Sequence, residues 1–331
     1  MKKWFVPLFV MALFFLFGYG LLPSEAASPA TKVVLTYANL GERAAAQYVA
    51  EDQGFFRKHD LDVRLVYIGS GSAAMAALAG GYAQIYTSSA SGATLGAIAG
   101  GDVVFVAGLI NKLTGAFVAA SEIKSPAELK GKRIGVTSIA GGNWERTMLA
   151  LDHWGLAPER DGITIRVIGN DSARAQALAA GMIDGTLVDY AFSAPLERQG
   201  YPVLADLARL GIPYQGIGVL TRRMFVNQYP ETIEKILKSL VEAISFIRQP
   251  ANKAAVLKSL ARGSRLTRIE DAVGTYDRMV TLYDRRIYPD LAGIRKVISL
   301  HSIKSESIRR LKAEEIVDER FVRKLEKEGL F

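Results

Sequence analysis

The chain has 331 residues, 50% of them apolar, a length that suits about two domains with ordinary buried cores. It carries 41 Lys and Arg against 33 Asp and Glu, for a formal charge of +8. No basic block interleaved with aromatics occurs, so a nucleic-acid partner is not expected. There is no cysteine, which excludes disulfides and an anchor through a lipidated cysteine and leaves packing alone to hold the fold.

Lys2 and Lys3 precede an apolar run over residues 4–22, followed by Pro23 and by Ser24-Glu25-Ala26-Ala27. A charged start, an apolar stretch and small residues at a cleavage site predict a secretory signal peptide over residues 1–27. The run is long enough to raise the alternative of a retained anchor, but Gly18, Gly20 and Pro23 interrupt it. With cleavage and no lipid anchor, the expected location is the periplasm, as a soluble monomer.

Strands and helices then alternate. Residues 33–37 read as a buried strand, 42–58 as a helix, 62–68 as a strand, 72–78 as a helix, 84–87 as a strand, 93–99 as a helix and 103–109 as a strand. A second unit follows Ser125-Pro126, with strands at 132–136, 163–168 and 186–189 and helices at 143–154 and 172–180. Such alternation predicts an α/β fold of doubly wound, mostly parallel sheets with helices on both faces. The units echo each other: the run from Ala77 to Gln84 aligns with that from Ala177 to Asp184, each a small-residue helix ending at glycine. After a strand at 217–221 the pattern turns helical to the end, around 254–260, 269–283 and 308–325. Pro230 suits a first helical turn, and Ile233, Ile236, Leu237, Leu240, Val241, Ile244 and Ile247 recur at helical spacing, a stripe expected in the core.

In open α/β sheets ligands collect beyond the carboxyl ends of the strands. That rule selects Asn39, then Ser70 and Ser72, then Ser88 and Ser89, then Asn111 in the first unit. In the second it selects Ser138, Gly141, Gly142 and Asn143, then Asp189 and Tyr190. Ser, Gly and Asn at helix starts offer N–H groups that hold anionic oxygens, although the same residues also serve as ordinary caps. Asp189 is a candidate acceptor for a ligand amine or hydroxyl, with Tyr190 stacked beside it. Lys112 is a candidate anion partner, and Trp144 is either cleft wall or core. Gly69-Ser70-Gly71-Ser72 lacks the third glycine of a dinucleotide fingerprint. His59, His153 and His301 are scattered without metal-ligand spacing, so neither a metal nor another cofactor is expected.

Ala50-Glu51-Asp52-Gln53-Gly54-Phe55-Phe56-Arg57-Lys58 with Leu61-Asp62-Val63, the run from Ser125 to Val136, and the turn from Ala177 to Asp184 resemble the solute-binding family of alkanesulfonate-, taurine-, nitrate- and thiamine-pyrimidine-binding proteins. Asp60 stands where that family usually has glycine, a mild departure, since aspartate tolerates a left-handed backbone. The resemblance implies a periplasmic binding protein type II clamshell with a helical C-terminal extension. The first lobe would comprise 31–117 plus 218–331 and the second 118–217, with Ala116–Ala119 and Ile217–Leu220 as the crossing strands. It further implies an exported receptor that captures a small molecule and delivers it to the membrane permease of an ABC importer, without covalent chemistry. The alternatives are a ligand-sensing subunit of a signalling system and, against the lack of cysteine, an enzyme similar to a thiamine-pyrimidine synthase. Helix termini favour an anionic group, and Tyr37, Tyr86, Tyr190 and Trp144 suit a planar or apolar body, so a small organic acid, sulfonate or heteroaromatic compound is the expected ligand.

Overall fold

A computed structural model describes residue 1 and residues 30–331, so the expected signal peptide lies outside the described residues. Among the described residues no helix is long and apolar enough to cross a membrane. Ten strands follow in chain order: β1 Thr31–Tyr37, β2 Leu61–Tyr67, β3 Ile85–Ser88, β4 Val103–Ile110, β5 Ala116–Ala119, β6 Arg133–Val136, β7 Thr164–Val167, β8 Gly185–Val188, β9 Val203–Asp206 and β10 Ile217–Arg222. They build two five-stranded sheets, ordered β2-β1-β3-β10-β4 and β7-β6-β8-β5-β9. Both are mixed: in each, four of the five strands point the same way, as expected of a mostly parallel sheet, and one strand runs against them. β10 runs antiparallel to β3 and β4, and β5 antiparallel to β8 and β9. The reason is that β5 and β10 each enter directly from the opposite sheet, without the helical crossover that parallel pairing needs.

The helices are α1 Ala45–Asp52, α2 Phe55–Lys58, α3 Gly71–Ala79, α4 Gly92–Ala99, α5 Gly142–His153, α6 Asp171–Ala179 and α7 Tyr190–Arg198, then α8 Arg223–Gln228, α9 Pro230–Ile247, α10 Lys253–Ser264, α11 Glu270–Val280, α12 Leu291–Ser302, α13 Glu306–Arg309 and α14 Arg320–Lys327. The helix expected over 42–58 divides at Gly54, whose left-handed φ of 74° ends one segment and starts the next. The one expected over 308–325 is replaced by two short helices and a single 3-10 turn. Sequence reasoning did not anticipate β9, α7 or α12. Pro195 inside α7 hides that helix, and β9 is a four-residue strand with no fully buried position.

The echo between the units is a real structural repeat. Tyr82 N–H donates to Ala77 O at 2.9 Å, and Met182 N–H to Ala177 O at 2.9 Å. Gly81 and Gly181 take φ of 80° and 66°. Gln84 Oε1 then accepts the Val34 N–H at 2.8 Å, and Asp184 Oδ2 accepts the Arg133 N–H at 2.7 Å. In each half, one polar side chain at the helix-to-strand turn therefore pins a backbone N–H of the neighbouring strand, midway along β1 and at the start of β6.

The α9 stripe is core: each of its seven apolar side chains is buried, the most exposed being Val241 at 4%. The C-terminal extension also covers an edge. β4 is buried along its whole length although it is an edge strand. Its backbone is met by Gly108 N–H to Ile287 O, Asp284 N–H to Leu109 O and Asp318 N–H to Phe105 O, which removes an exposed template for unwanted pairing.

α10 approaches α1 through Gly263, where an added Cβ would fall 2.3 Å from the buried Tyr48 ring. Alanine would gain up to about 1 kcal/mol in helix propensity, but forcing this contact apart costs about 1–3 kcal/mol. Gly263→Ala is therefore expected to lower stability, read as a reduced urea midpoint with an unchanged slope. A raised midpoint would show that α10 yields freely.

The two crossings named from the sequence lie elsewhere. Ala116–Ala119 belongs wholly to the second sheet, and Ile217–Leu220 to the first. The chain changes sheets in the irregular segments 111–115 and 207–216 that precede them. The second segment bonds the end of β4 through Gly216 N–H to Ile110 O at 2.8 Å and the first segment through Leu207 N–H to Gly115 O at 3.0 Å.

Candidate functional site

The carboxyl ends of β1 and β3 face those of β6 and β8 across a cleft of about 40 Å³, and contacts across it, such as the Tyr190 N–H to Glu42 Oε1 bond at 2.8 Å, show the lobes closed on one another. Asn39, Ser88, Ser89, Ser138, Gly141, Gly142 and Asn143 line it, joined by Arg43, Tyr86, Thr87, Thr137, Arg146 and Asp171. Seven of the twelve residues picked by the strand-end rule thus come together.

The other five have different placements. Ser70 accepts the Ala73 N–H at 3.4 Å as the cap of α3, and Ser72 is exposed. Asn111 lies in the first crossing segment, where its Nδ2 donates to Tyr288 O at 2.8 Å and its N–H donates to Asp284 at 2.9 Å. Tyr190 is buried with its hydroxyl on Asp206 and Arg278 over its ring, so it does not stack in the cleft. Asp189 is fully buried behind the cleft lining, between the two arginines. Of the further candidates, Lys112 donates to Thr281 O at 3.1 Å. Trp144 packs near His301, ring centroids 6.2 Å apart, outside the lining.

The arginines are what the sequence reading missed. Arg146 is 2% exposed and Arg43 5%, and a buried guanidinium persists only where its charge is met. Arg146 Nη1 donates to Thr114 O at 2.6 Å and to Asp189 Oδ1 at 3.2 Å. Arg43 Nη2 donates to Gly216 O at 3.0 Å, and its Nη1 lies 3.9 Å from the same carboxylate oxygen. Each arginine therefore grips one of the two crossing segments. Among the described residues, Arg43 Nε, Arg146 Nε, Asn39 Oδ1 and Ser138 Oγ are buried without a hydrogen-bond partner. The start of α5 adds to this: Gly141 leaves its first N–H groups without a side-chain cap, and Asn143 is committed elsewhere, accepting from Thr137 N–H and donating to Leu187 O.

A third arginine supports the floor. Arg174, fully buried, pairs with Asp171 at 2.9 Å and donates to Leu187 O at 3.1 Å. Burial alone would raise the Asp171 carboxyl, but Arg174, the Asp189 N–H, Arg146 and Arg43 together hold it below its ordinary value. Burial and the neighbouring Arg146 pull Arg43 downward, but a guanidinium keeps its proton in a protein. Glu42, fully buried beside them, has its carboxyl pushed up to about 8 by burial and then by Asp189, so it is protonated at neutral pH. Three cations against Asp171 and Asp189 leave one positive charge unmatched.

One signal could have revealed the arginines. Each sits within or just before the first turns of a helix following a strand end, on the face that carries small and apolar residues: Arg43 with Ala46 and Ala50, Arg146 with Leu149 and Ala150, Arg174 with Ala177 and Leu178. Among the described residues no group of His, Cys, Asp and Glu is arranged to hold a metal.

The sequence model of a family described as NMT1/THI5 like matches residues 43–254. Among curated proteins no sequence matches the chain. Solved structures of similar fold include the alkanesulfonate-binding protein SsuA from Xanthomonas axonopodis pv. citri bound to MOPS, 19% identical, covering 88% of this chain and 100% of that one, with a TM-score of 0.71. The periplasmic nitrate-binding protein NrtA from Synechocystis PCC 6803 is 15% identical over 90% of this chain and 89% of its own, with a TM-score of 0.74. DszB in complex with biphenyl-2-sulfinic acid is 16% identical over 89% and 99%, with a TM-score of 0.61. At these identities the likeness is one of fold, the two-lobed architecture of periplasmic binding proteins.

Proposed function

The chain belongs to the NMT1/THI5-like family, and on that premise we propose that it is a periplasmic receptor that captures a small organic monoanion and presents it to an ABC importer. The single observation that carries the ligand class is the unmatched charge at the cleft: Arg43 and Arg146 are buried, each with a free Nε, beside the uncapped start of α5. One negative charge completes that arrangement, and two would overload it. Binding proteins for alkanesulfonate and nitrate among the similar folds support an oxyanion. Capture fits the lining, whose Arg43, Arg146, Asn39, Ser and Thr side chains can hold an anion.

The lobe boundaries in this reading fall at segments 111–115 and 207–216, the hinge. Because each arginine bonds a carbonyl of one hinge segment, an anion on the guanidiniums is tied directly to the backbone that must bend on opening. Closure then follows from the anion's greater affinity for the closed state.

A thermal-shift series on the purified protein tests the class. Ethanesulfonate is expected to raise the melting temperature, by about 2.7 kcal/mol of stability at a hundredfold excess over Kd, while sulfate and neutral alcohols leave it unmoved. Equal shifts with sulfate, or none with any monoanion, would overturn the proposal.

A further inference from the structure

Glu42 is not used by the ligand reading. It belongs to the first lobe, in the turn between β1 and α1, and is 0% exposed. Its Oε1 accepts the Tyr190 N–H at 2.8 Å and its Oε2 the Ala191 N–H at 3.2 Å. A side chain of one lobe thus caps the first turn of α7, a helix of the other. The residue in the cap position, Asp189, makes no such bond and turns its carboxylate to the arginines instead. The approach is close: a Cβ on Gly41 would fall 2.7 Å from Asp189 Cβ.

The groups facing Glu42 can be named from each side. Asp189 and Tyr190 face it from the start of α7, and Tyr283 faces it from beyond α11, donating its hydroxyl to Glu42 O at 2.8 Å. Arg43 is its neighbour in the chain, while Arg146 on α5 and Asp171 and Arg174 on α6 surround Asp189. Among the described residues Glu42 forms no ion pair, whereas Asp189 touches Arg146 at 3.2 Å and faces Arg43 at 3.9 Å. Asp189 has two arginines as counter-charges and Glu42 has none, so burial and the neighbouring carboxyl raise Glu42 despite the two N–H bonds that favour its charged form.

Were the cleft to open, Glu42 would part from α7, whose Tyr190 and Ala191 N–H groups it holds across the lobes. We infer that Glu42 is a proton-carrying latch between the lobes: closure takes up one proton there, which makes capture stronger in acid and weaker in alkali. The link to capture rests on the anion reading above; the latch itself does not. A carboxyl with an ordinary value when the cleft is open, raised to about 8 when it is closed, favours closure fully at low pH. That advantage is lost as pH rises from the ordinary carboxylate range through about 8, at most about tenfold in the closed-to-open ratio per pH unit. His301 on α12 adds a dependence of the same sign. It meets Glu145 of the second lobe at 2.6 Å, a bond that raises it from 6.5 against the effect of burial.

The absence of native cysteine permits a direct measurement. Labels at Tyr82→Cys and Met182→Cys, both exposed and at equivalent turns of the two lobes, report the interlobe distance by energy transfer from pH 5 to 9. Without added anion, the closed fraction is expected to fall with rising pH. In the Glu42→Gln background the profile should flatten, keeping only the His301 part. A profile unchanged by Glu42→Gln, or flat in the parent protein, would overturn the latch. If Glu42→Gln does not fold, His301→Gln decides: dependence that persists above pH 7 supports Glu42, and its loss overturns it. Ethanesulfonate, whose charge is constant over this range, separates the two readings. Failure to bind it with pH-dependent closure intact sinks the anion reading alone, and tight binding without pH dependence sinks the latch alone.

Discussion

Replacing Arg146 with methionine is expected to abolish monoanion capture and to lower stability by about 3–5 kcal/mol, the usual cost of removing one partner from a buried ion pair. Methionine fills most of the arginine's volume, so packing loss is a minor part of that figure. What is lost is the bond at 2.6 Å to Thr114 O and the contact at 3.2 Å with Asp189. Asp189 is 0% exposed and would keep only the longer contact with Arg43 at 3.9 Å. Its carboxyl, already pushed up by burial and by Asp171, would then tend to take a proton, so the variant should lose least stability in acid. The expected result is a large drop in the urea midpoint at neutral pH, smaller at pH 5, and no thermal shift with ethanesulfonate. An Arg146→Met protein that still binds ethanesulfonate would remove Arg146 from the site.

The second large effect is steric. Gly41→Ala is expected to weaken ligand binding about 10- to 100-fold while leaving the ligand-free lobes folded. Gly41 has φ −86° and ψ −158°, a backbone that alanine adopts without strain. The obstacle is across the cleft, where the new Cβ would lie 2.7 Å from Asp189 Cβ and 3.0 Å from its Oδ2. Asp189 is held by its arginines and cannot turn aside, so the lobes must part slightly. Overpacking of this kind costs about 1–3 kcal/mol, charged here to the closed state alone. Gly142→Ala is the control. Its Cβ would meet Ser89 Oγ at 2.2 Å but Ser89 Cβ only at 3.6 Å, so rotating one hydroxyl relieves the contact. Calorimetric titration with a monoanion should show a strong loss for Gly41→Ala and a mild one for Gly142→Ala. Equal effects would mean that closure does not bring Gly41 against Asp189.

The hydrophobic alternation, the α9 stripe and the echo ending at Gly81 and Gly181 placed the strands, the core and the repeat before any coordinates. Those signals are local: a strand buries alternate or consecutive residues and a helix buries one face, whatever lies opposite. The strand-end rule likewise reached Asn39, Ser89 and the start of α5, because sheet direction alone decides which loops meet. It overreached at Asn111 and Tyr190, since a position at a strand end does not say which way a side chain turns.

The sequence by itself therefore determined an α/β chain of two similarly built halves, a helical tail, and a ring of Ser, Gly and Asn loop ends. Only the tertiary structure decided that β5 and β10 enter their sheets antiparallel, that the tail covers β4, and that three arginines share one buried cluster. The physical reason is range. A buried charge is stable only through partners supplied by distant segments, as when Arg43 meets Gly216 O and Asp189, or Glu42 caps Tyr190. No spacing along the chain encodes such meetings. They exist only once both sheets have formed and the two crossing segments have brought their strand ends face to face.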